Sequence, residues 1–452
     1  MTQQVWLNVT TSSNWNRTPV GIVRVEVELA KRLNVRYFIY SHGEICETFL
    51  PEFAPHEEKP AVSFQVDGEK FATSKIKNYL DSKMHLSRSR RFLMGASLLT
   101  SVLYGKHKKF DHLLIIASAK ILKFLRRLQS RSIQINSTGI PTETIVFANS
   151  TNSRKKTSHP FKPGDIILTA GLDWDYNLLD ALSDIKGEIP LHVVAAVYDL
   201  IPVNEPHFLF SERHSAGVLR HLVKIAENAD LIITNCEVIG QEFDAFTRKL
   251  TLPLVSRKVI KLAAMPTEVN SEAVFSVQIW TQNSEFILCV GTFEIRKNYE
   301  LIIKAVYLAA ENKLTIPKIV IAGGVGWLAG DVIHRLETDY NLKDKILFLR
   351  NPSDSKLKWL YQKCSGLLNP SFSEGFGLPC AEASFYGKPL ILSNIPTFKE
   401  LFPKANFFSP HDPLQLVKAL NNFSEKNIDD TFARRTWDDV STEFATALAE
   451  LY

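Results

Sequence analysis

The feature that most constrains this chain lies in its C-terminal half, where short apolar runs alternate with helical spans. FILCVGTF from Phe286, KIVIAGG from Lys318, KILFLRN from Lys345, GLLNPS from Gly366 and PLILSN from Pro389 each read as a buried strand, with a last one near Asn406 to Ser409. Between them, Tyr299 to Asn312, Gly330 to Tyr340 and Ser355 to Lys363 carry apolar residues at helical spacing. Strands of this length separated by helices cannot be joined as hairpins. They pair in parallel through crossover helices, which gives a doubly wound, Rossmann-like sheet with its ligand crevice at the strands' C-terminal ends.

One unit of this half has the composition of a site. Ser371 to Asn394, SFSEGFGLPCAEASFYGKPLILSN, runs from a glycine-bracketed turn into a helix and a strand. Gly375 and Gly377 would let the backbone approach a bulky anion, and Pro379 stands where a helix begins, its missing N–H costing nothing there. The helix would turn unpaired amides and a partial positive charge towards the turn, which suits a diphosphate. Glu374 stays on the loop and Glu382 lies a turn into the helix, so the two acids have different work. Spacing alone is equally compatible with an ordinary buried helix and two solvated glutamates.

The N-terminal half is less regular. Val5 to Thr10 reads as a first strand and Gly21 to Leu33 as the helix after it, joined by a loop ending in Thr18, Pro19, Val20 and Gly21. Strand and helix alternate again from Asp165, through DIILTAG, HVVAAVYDLIP and DLIITNC, with a helix over Ser211 to Ala226. Periodicity fades between Ala264 and Asn283, the expected linker, and a last helical span covers Asp429 to Leu451. A chain of 452 residues is long for one core, so two domains are expected.

From about Glu57 to Phe161 an insertion interrupts this order. Between Lys75 and Arg131 stand fourteen Lys or Arg against two Asp, a strong local excess in a chain whose net charge is only +5. The segment reads as two amphipathic helices with basic ends. Its apolar runs, broken by Lys120 and Lys123, fall short of the ~20 residues that span a bilayer. Contact with an anionic membrane surface fits, at about 1 kcal/mol per Lys or Arg near the leaflet. A helical hairpin packed on the protein with a solvated basic rim is the plainer reading, and few interleaved aromatics argue against nucleic acid.

The five cysteines, at 46, 236, 289, 364 and 380, form no C-x-x-C pair, so neither zinc nor a disulfide framework is expected. The first residues have no basic n-region or apolar h-region, pointing to a cytoplasmic protein, and the sequons at Asn8, Asn136 and Asn149 read as chance matches. Asp173-Trp174-Asp175 could bind a hard cation, but a loop on the acceptor side of a cleft is the preferred reading, with no metal.

EGFGLPCAE, Glu374 to Glu382, resembles the E-x7-E signature of the family 4 retaining glycosyltransferases, and GTFEIRKN, Gly291 to Asn298, resembles their second signature, GT-x-E-x-R-K-N. The likeness is strong over Phe286 to Asn394 and thinner before it. It implies an α/β chain of GT-B architecture, two Rossmann-like domains facing across a cleft. An acceptor domain would span residues 1–270 (insertion about 75–131), a nucleotide-sugar domain 281–428, and a helix over 429–452 would return to brace the first. By resemblance, Arg296 and Lys297 reach the donor diphosphate, Glu374 the donor sugar and Glu382 the ribose, while the backbone at Gly375, Phe376, Gly377 and Leu378 positions sugar and phosphate. TGI-x-R segments of relatives line the cleft, which places Gly21 and Arg24 there. YDLIP, at Tyr198 to Pro202, matches a cleft strand end where many relatives carry His in place of Tyr198. Tyr198, Asp199, Asp173 and Arg24 are the cleft and acceptor candidates, and the plainer role for Asp199 is capping the next turn. Thr292 stands where relatives often have another arginine.

The implied activity is metal-independent transfer with retention, the leaving phosphate itself taking the acceptor's proton. GT-x-E-x-R-K-N with YDLIP most resembles the mannosyltransferase branch of O-antigen and capsule assembly. GDP-mannose is therefore the favoured donor, with no cofactor, and a lipid-linked saccharide at the inner face of the cytoplasmic membrane the expected acceptor. The alternative is a nucleotide-sugar-binding scaffold subunit without catalysis. An epimerase of the same fold is disfavoured by the two signatures together.

Overall fold

The computed structural model describes residues 3–15, 21–50, 157–209, 211–264, 280 and 285–451. The basic segment 75–131, loop residues Thr18 to Val20 and most of the expected linker lie outside the described residues.

Among the described residues, thirteen strands form two sheets. The first has the order β3-β2-β1-β4-β5-β6-β7, with β1 at Val5–Asn8, β2 at Arg36–Ser41, β3 at Glu44–Thr48, β4 at Ile166–Thr169, β5 at His192–Val197, β6 at Leu231–Thr234 and β7 at Ser256–Val259. The second has the order β10-β9-β8-β11-β12-β13, with β8 at Phe286–Val290, β9 at Lys318–Gly323, β10 at Ile346–Arg350, β11 at Gly366–Asn369, β12 at Leu390–Ser393 and β13 at Asn406–Phe408. Every pairing is parallel except that of β2 with β3. That hairpin, which period reading did not anticipate, closes through His42 and Gly43, both at positive φ, the backbone a tight two-residue turn requires.

Both sheets reverse strand order beside their first strand, at β1/β4 and at β8/β11, the topological switch point where open α/β sheets bind ligands. The central strands are buried on both faces: Ile166–Thr169, Leu231–Thr234, Gly366–Asn369 and Leu390–Ser393 expose almost nothing. Continuous apolar runs are what a sheet covered by helices on both sides demands.

Five helices matter for the site. They are α1 at Gly21–Arg32, α2 at Glu237–Lys249, α3 at Asp354–Lys363, α4 at Leu378–Phe385 and α5 at Trp437–Ala449. The expected C-terminal helix is shorter than its periodicity suggested. Thr436 starts it by a reciprocal capping box with Asp439, and Asp429 to Arg435 make turns instead. Phe432 of those turns packs on Phe376 and Phe402, while α5 lies against α1, with Arg32 donating to Asp438 at 2.7 Å. No helix among the described residues is long and apolar enough to cross a membrane.

Candidate active site

The C-terminal ends of both sheets enclose a cavity of about 460 Å³, whose walls include Gly21 and Arg24 from α1, Tyr198 and Asp199 after β5, Arg296 and Lys297 after β8, Glu374 to Gly377 between β11 and α4, and Leu378, Pro379 and Glu382 of α4. All of the sequence-derived candidates except Asp173 line it.

Glu374 is the centre of the charge arrangement. Lys297 Nζ donates to its Oε1 at 2.5 Å, Ser371 Oγ to the same oxygen at 2.7 Å, and Arg296 Nη1 to its Oε2 at 2.8 Å. Burial alone would raise this carboxyl, but Arg296, Lys297 and the Ser371 hydroxyl hold it well below the usual carboxylate range. Arg296 also donates to Glu294 Oε1 at 2.5 Å and to the Ser373 carbonyl at 2.6 Å. The local chain makes this possible: Ile295 to Lys297 form one 3-10 turn, and Asn298, left-handed at φ 54°, ties it to the carbonyls of Pro370 and Pro410. Both cations are thus engaged by carboxylates. Glu294 is a site residue that the quoted motif contained but to which no role had been given.

Glu382, 5% exposed, is held from two sides. Arg24 Nη1 donates to its Oε1 at 2.5 Å and the Tyr361 hydroxyl to its Oε2 at 2.6 Å. Arg24 lines the cavity as expected of a cleft residue, and from α1 it bonds the carboxylate assigned to the ribose. Tyr361, in WLYQ of α3, is a site residue that the sequence does not single out, because no local signal distinguishes it from a core aromatic.

The two glycines of the turn have different reasons. A Cβ on Gly375 would lie 2.2 Å from the Tyr198 carbonyl oxygen and 2.9 Å from the Asp199 Cβ, so its small size serves the approach of the two sheets. Gly375 also lines the cavity, so this close packing stands beside the expected approach of an anion. Gly377, at φ +87°, starts α4 in a left-handed conformation, and a Cβ there would meet Phe398 at 2.7 Å.

The wall after β5 is largely structural in its bonding. The Tyr198 hydroxyl donates to the Ala170 carbonyl at 2.8 Å, and the Tyr198 carbonyl accepts from Asn235 Nδ2 at 3.0 Å. Asp199 Oδ1 caps the Ile201 amide at 3.1 Å, the plainer role foreseen for it, yet its carboxyl lines the cavity. Burial raises that carboxyl and Arg296 opposes the rise. Asn235 was missed: its Oδ1 is buried without a partner among the described residues.

Asp173 departs from expectation. It is 2% exposed, accepts from Asn8 Nδ2 at 2.7 Å and from Thr169 Oγ1, and does not line the cavity. Burial raises its carboxyl to about 7. It faces Glu26 of α1, raised to about 8 by burial and then by Asp173, and Glu26 Oε1 accepts from the Ser12 amide at 2.7 Å. The expected cleft position does not hold for this short side chain, because the turn Asp173–Asp175 folds it back onto Asn8 of β1 and Thr169 of β4. Among the described residues no group of three or more His, Cys, Asp or Glu is placed to hold a metal ion.

Residues 270–436 match the family described as Glycosyl transferases group 1. The serotype-specific mannosyltransferase WbdA of Escherichia coli is 26% identical over 246 residues, which is 50% of this chain and 29% of that protein. The O-antigen chain mannosyltransferase RfbU of Salmonella typhimurium is 28% identical over 211 residues, 43% of this chain and 58% of that protein. The O-antigen chain mannosyltransferase B of Escherichia coli is 29% identical over 169 residues, 37% of this chain and 42% of that protein. The matched part thus spans less than two thirds of each relative. Among solved structures, a trehalose-6-phosphate synthase studied for transfer with retention superposes with a TM-score of 0.50 at 15% identity, covering 64% of this chain and 74% of that one. Such a likeness concerns the fold, and the fold is GT-B: two parallel-dominant sheets with interleaved helices and a cleft between their C-terminal ends.

Proposed function

We propose that this chain, whose residues 270–436 match the family described as Glycosyl transferases group 1, moves a sugar from a nucleotide-sugar donor to a growing surface polysaccharide. The observation that carries the reading is the Glu374 carboxylate clamped by Arg296 and Lys297 at the head of α4, in a cavity walled by both sheets. A volume of about 460 Å³ suits a small ligand bound between domains. Similarity to proteins named as O-antigen mannosyltransferases favours mannose, and with it GDP-mannose as the donor. The acceptor in this reading is a lipid-linked saccharide reached from the cytoplasmic side, the basic segment 75–131 resting on the membrane.

The chemistry follows from the charges. In the transition state the bond from the sugar to the diphosphate breaks and negative charge grows on the leaving phosphate, beside Arg296 and Lys297, where preorganised cations are most effective. A carboxylate has about four lone-pair sites, so Glu374 and Glu382 keep accepting capacity for sugar and ribose hydroxyls beyond the bonds described. Glu374 would orient the donor sugar and hold the cation pair in place. With the acceptor on the same face as the departing phosphate, the phosphate oxygen takes the acceptor's proton and configuration is retained, without metal or cofactor.

The test begins with thermal unfolding in GDP, UDP, dTDP and ADP. GDP should stabilise most, by about 2.7 kcal/mol at a hundredfold excess over its Kd. Consumption of GDP-mannose by the purified protein, by transfer or slow hydrolysis, then separates an enzyme from a binding scaffold. Glu374→Gln should lower turnover by about 100-fold or more; Gln is preferred to Ala because it keeps the side chain's volume and one acceptor oxygen for the cations. No stabilisation by any of the four nucleotides would sink the nucleotide-sugar reading, and near wild-type turnover in Glu374→Gln would sink the site.

A further inference from the structure

The cavity poses an electrostatic problem for an anionic donor. Three cations line it, Arg24, Arg296 and Lys297, against five carboxylates, Asp199, Glu294, Asp354, Glu374 and Glu382. Each cation is already paired with a carboxylate, so a diphosphate in this weakly screened wall gains most from a cation whose carboxylate another donor can satisfy. Arg296 is held by Glu374, Glu294 and the Ser373 carbonyl, all within its own sheet's loops, and Lys297 by the buried Glu374. Arg24 differs in kind. It reaches Glu382 from the first turn of α1, across the cleft, over 358 residues of chain, and Glu382 is independently held by Tyr361.

We propose that Arg24 is a binding residue for the donor's diphosphate, transferred to it from Glu382 when hydroxyls of the donor's ribose occupy that carboxylate. The inference rests on the nucleotide-sugar reading above. The exchange is balanced in charge: an Arg–Glu pair and a solvated diphosphate become an Arg–phosphate pair and a carboxylate hydrogen-bonded by neutral hydroxyls. Tyr361 keeps Glu382 oriented throughout, so the carboxylate is never left buried without a partner. A guanidinium suits this role, since its planar fork binds carboxylate and phosphate in the same bidentate manner. The nucleoside and the diphosphate thereby become coupled through one side chain.

The experiment is isothermal titration of wild type and Arg24→Met with whichever of GDP, UDP, dTDP and ADP stabilises the wild type, and with the matching nucleoside. Losing one charge-assisted contact should weaken the diphosphate by about tenfold or more. The nucleoside should bind equally well or tighter, because its competitor for Glu382 is gone. These opposite responses are not what a structural latch between the sheets would produce. Parallel weakening of both ligands, or unchanged diphosphate affinity, overturns the proposal while leaving the glycosyltransferase reading intact. Wild type that binds none of the four diphosphates overturns both. Should Arg24→Met fail to fold, a crystal structure of wild type with the diphosphate decides: Arg24 on the phosphates supports the exchange, and Arg24 still on Glu382 with no phosphate contact refutes it.

Discussion

Glu26 and Asp173 form a buried carboxyl pair just behind the cavity wall, and its titration belongs to the pair rather than to either residue. Glu26 is raised from its ordinary 4.5 to about 8 by burial and by Asp173, and Asp173 from 3.8 to about 7 by burial. Both folded values exceed the unfolded ones, so the folded chain holds more protons across the interval between them. Stability from this pair is therefore fully present below about pH 4 and is lost as pH rises through 7 and 8. Glu374 acts oppositely, its stabilisation fading only under acid conditions, so the two effects do not overlap. The melting temperature should fall between about pH 5 and pH 8 and level off above that, and Glu26→Gln should flatten that fall while melting higher than wild type at the alkaline end. Scanning both proteins across this range checks it; equal slopes would assign the pH dependence elsewhere.

The loop between β11 and α4 is shaped by what presses on it. Gly375 touches the Tyr198 carbonyl, the Cys236 thiol faces the Gly375 carbonyl at 3.7 Å, and Glu400 caps α2 by accepting from the amides of Glu237 and Val238 at 2.7 and 2.8 Å. Three contacts along one seam thus set how closely the second sheet's loop meets the first sheet's strand ends. Gly375→Ala would wedge the seam open, at a cost of about 1–3 kcal/mol for overpacking, and should also diminish nucleotide-induced stabilisation. Gly330→Ala is the control, since a Cβ there meets nothing within 4 Å; it should be neutral or stabilising by about 0.4–1 kcal/mol. Equal denaturation midpoints for the two variants would show that the seam tolerates a methyl group.

At the scale of the whole molecule, the C-terminal segment connects the site to the far side of the first sheet. Phe432 packs beneath Phe376 of the site loop, Trp437 and Phe444 are fully buried, and Arg435 donates to the Lys261 carbonyl at 2.9 Å. The same chain carries its positive charge locally, in residues 75–131, and this is where the functional reading locates membrane contact. Seven of the fourteen basic residues near an anionic surface would contribute about 7 kcal/mol at low salt. The protein should float with liposomes containing anionic lipid and be released by salt. Flotation that ignores lipid charge would remove the electrostatic argument.

Local spacing was enough for the sheet of residues 286–408, because each buried strand must be apolar on both faces and each crossover must be helical. It was enough for the carboxylate and cation motifs too, since Arg296, Lys297, Glu374 and Glu382 sit in two short runs whose turns and helix start are set by their own residues. Tertiary structure alone decided the partners. Glu382 meets Arg24 across the cleft, Gly375 is small on account of Tyr198, and Asp173 turns inward to Asn8 rather than out to a ligand. The physical reason is range. Periodicity and capping act over a few residues, whereas ion pairs and close packing depend on where the folded sheets bring distant segments, and no spacing along the chain encodes that distance.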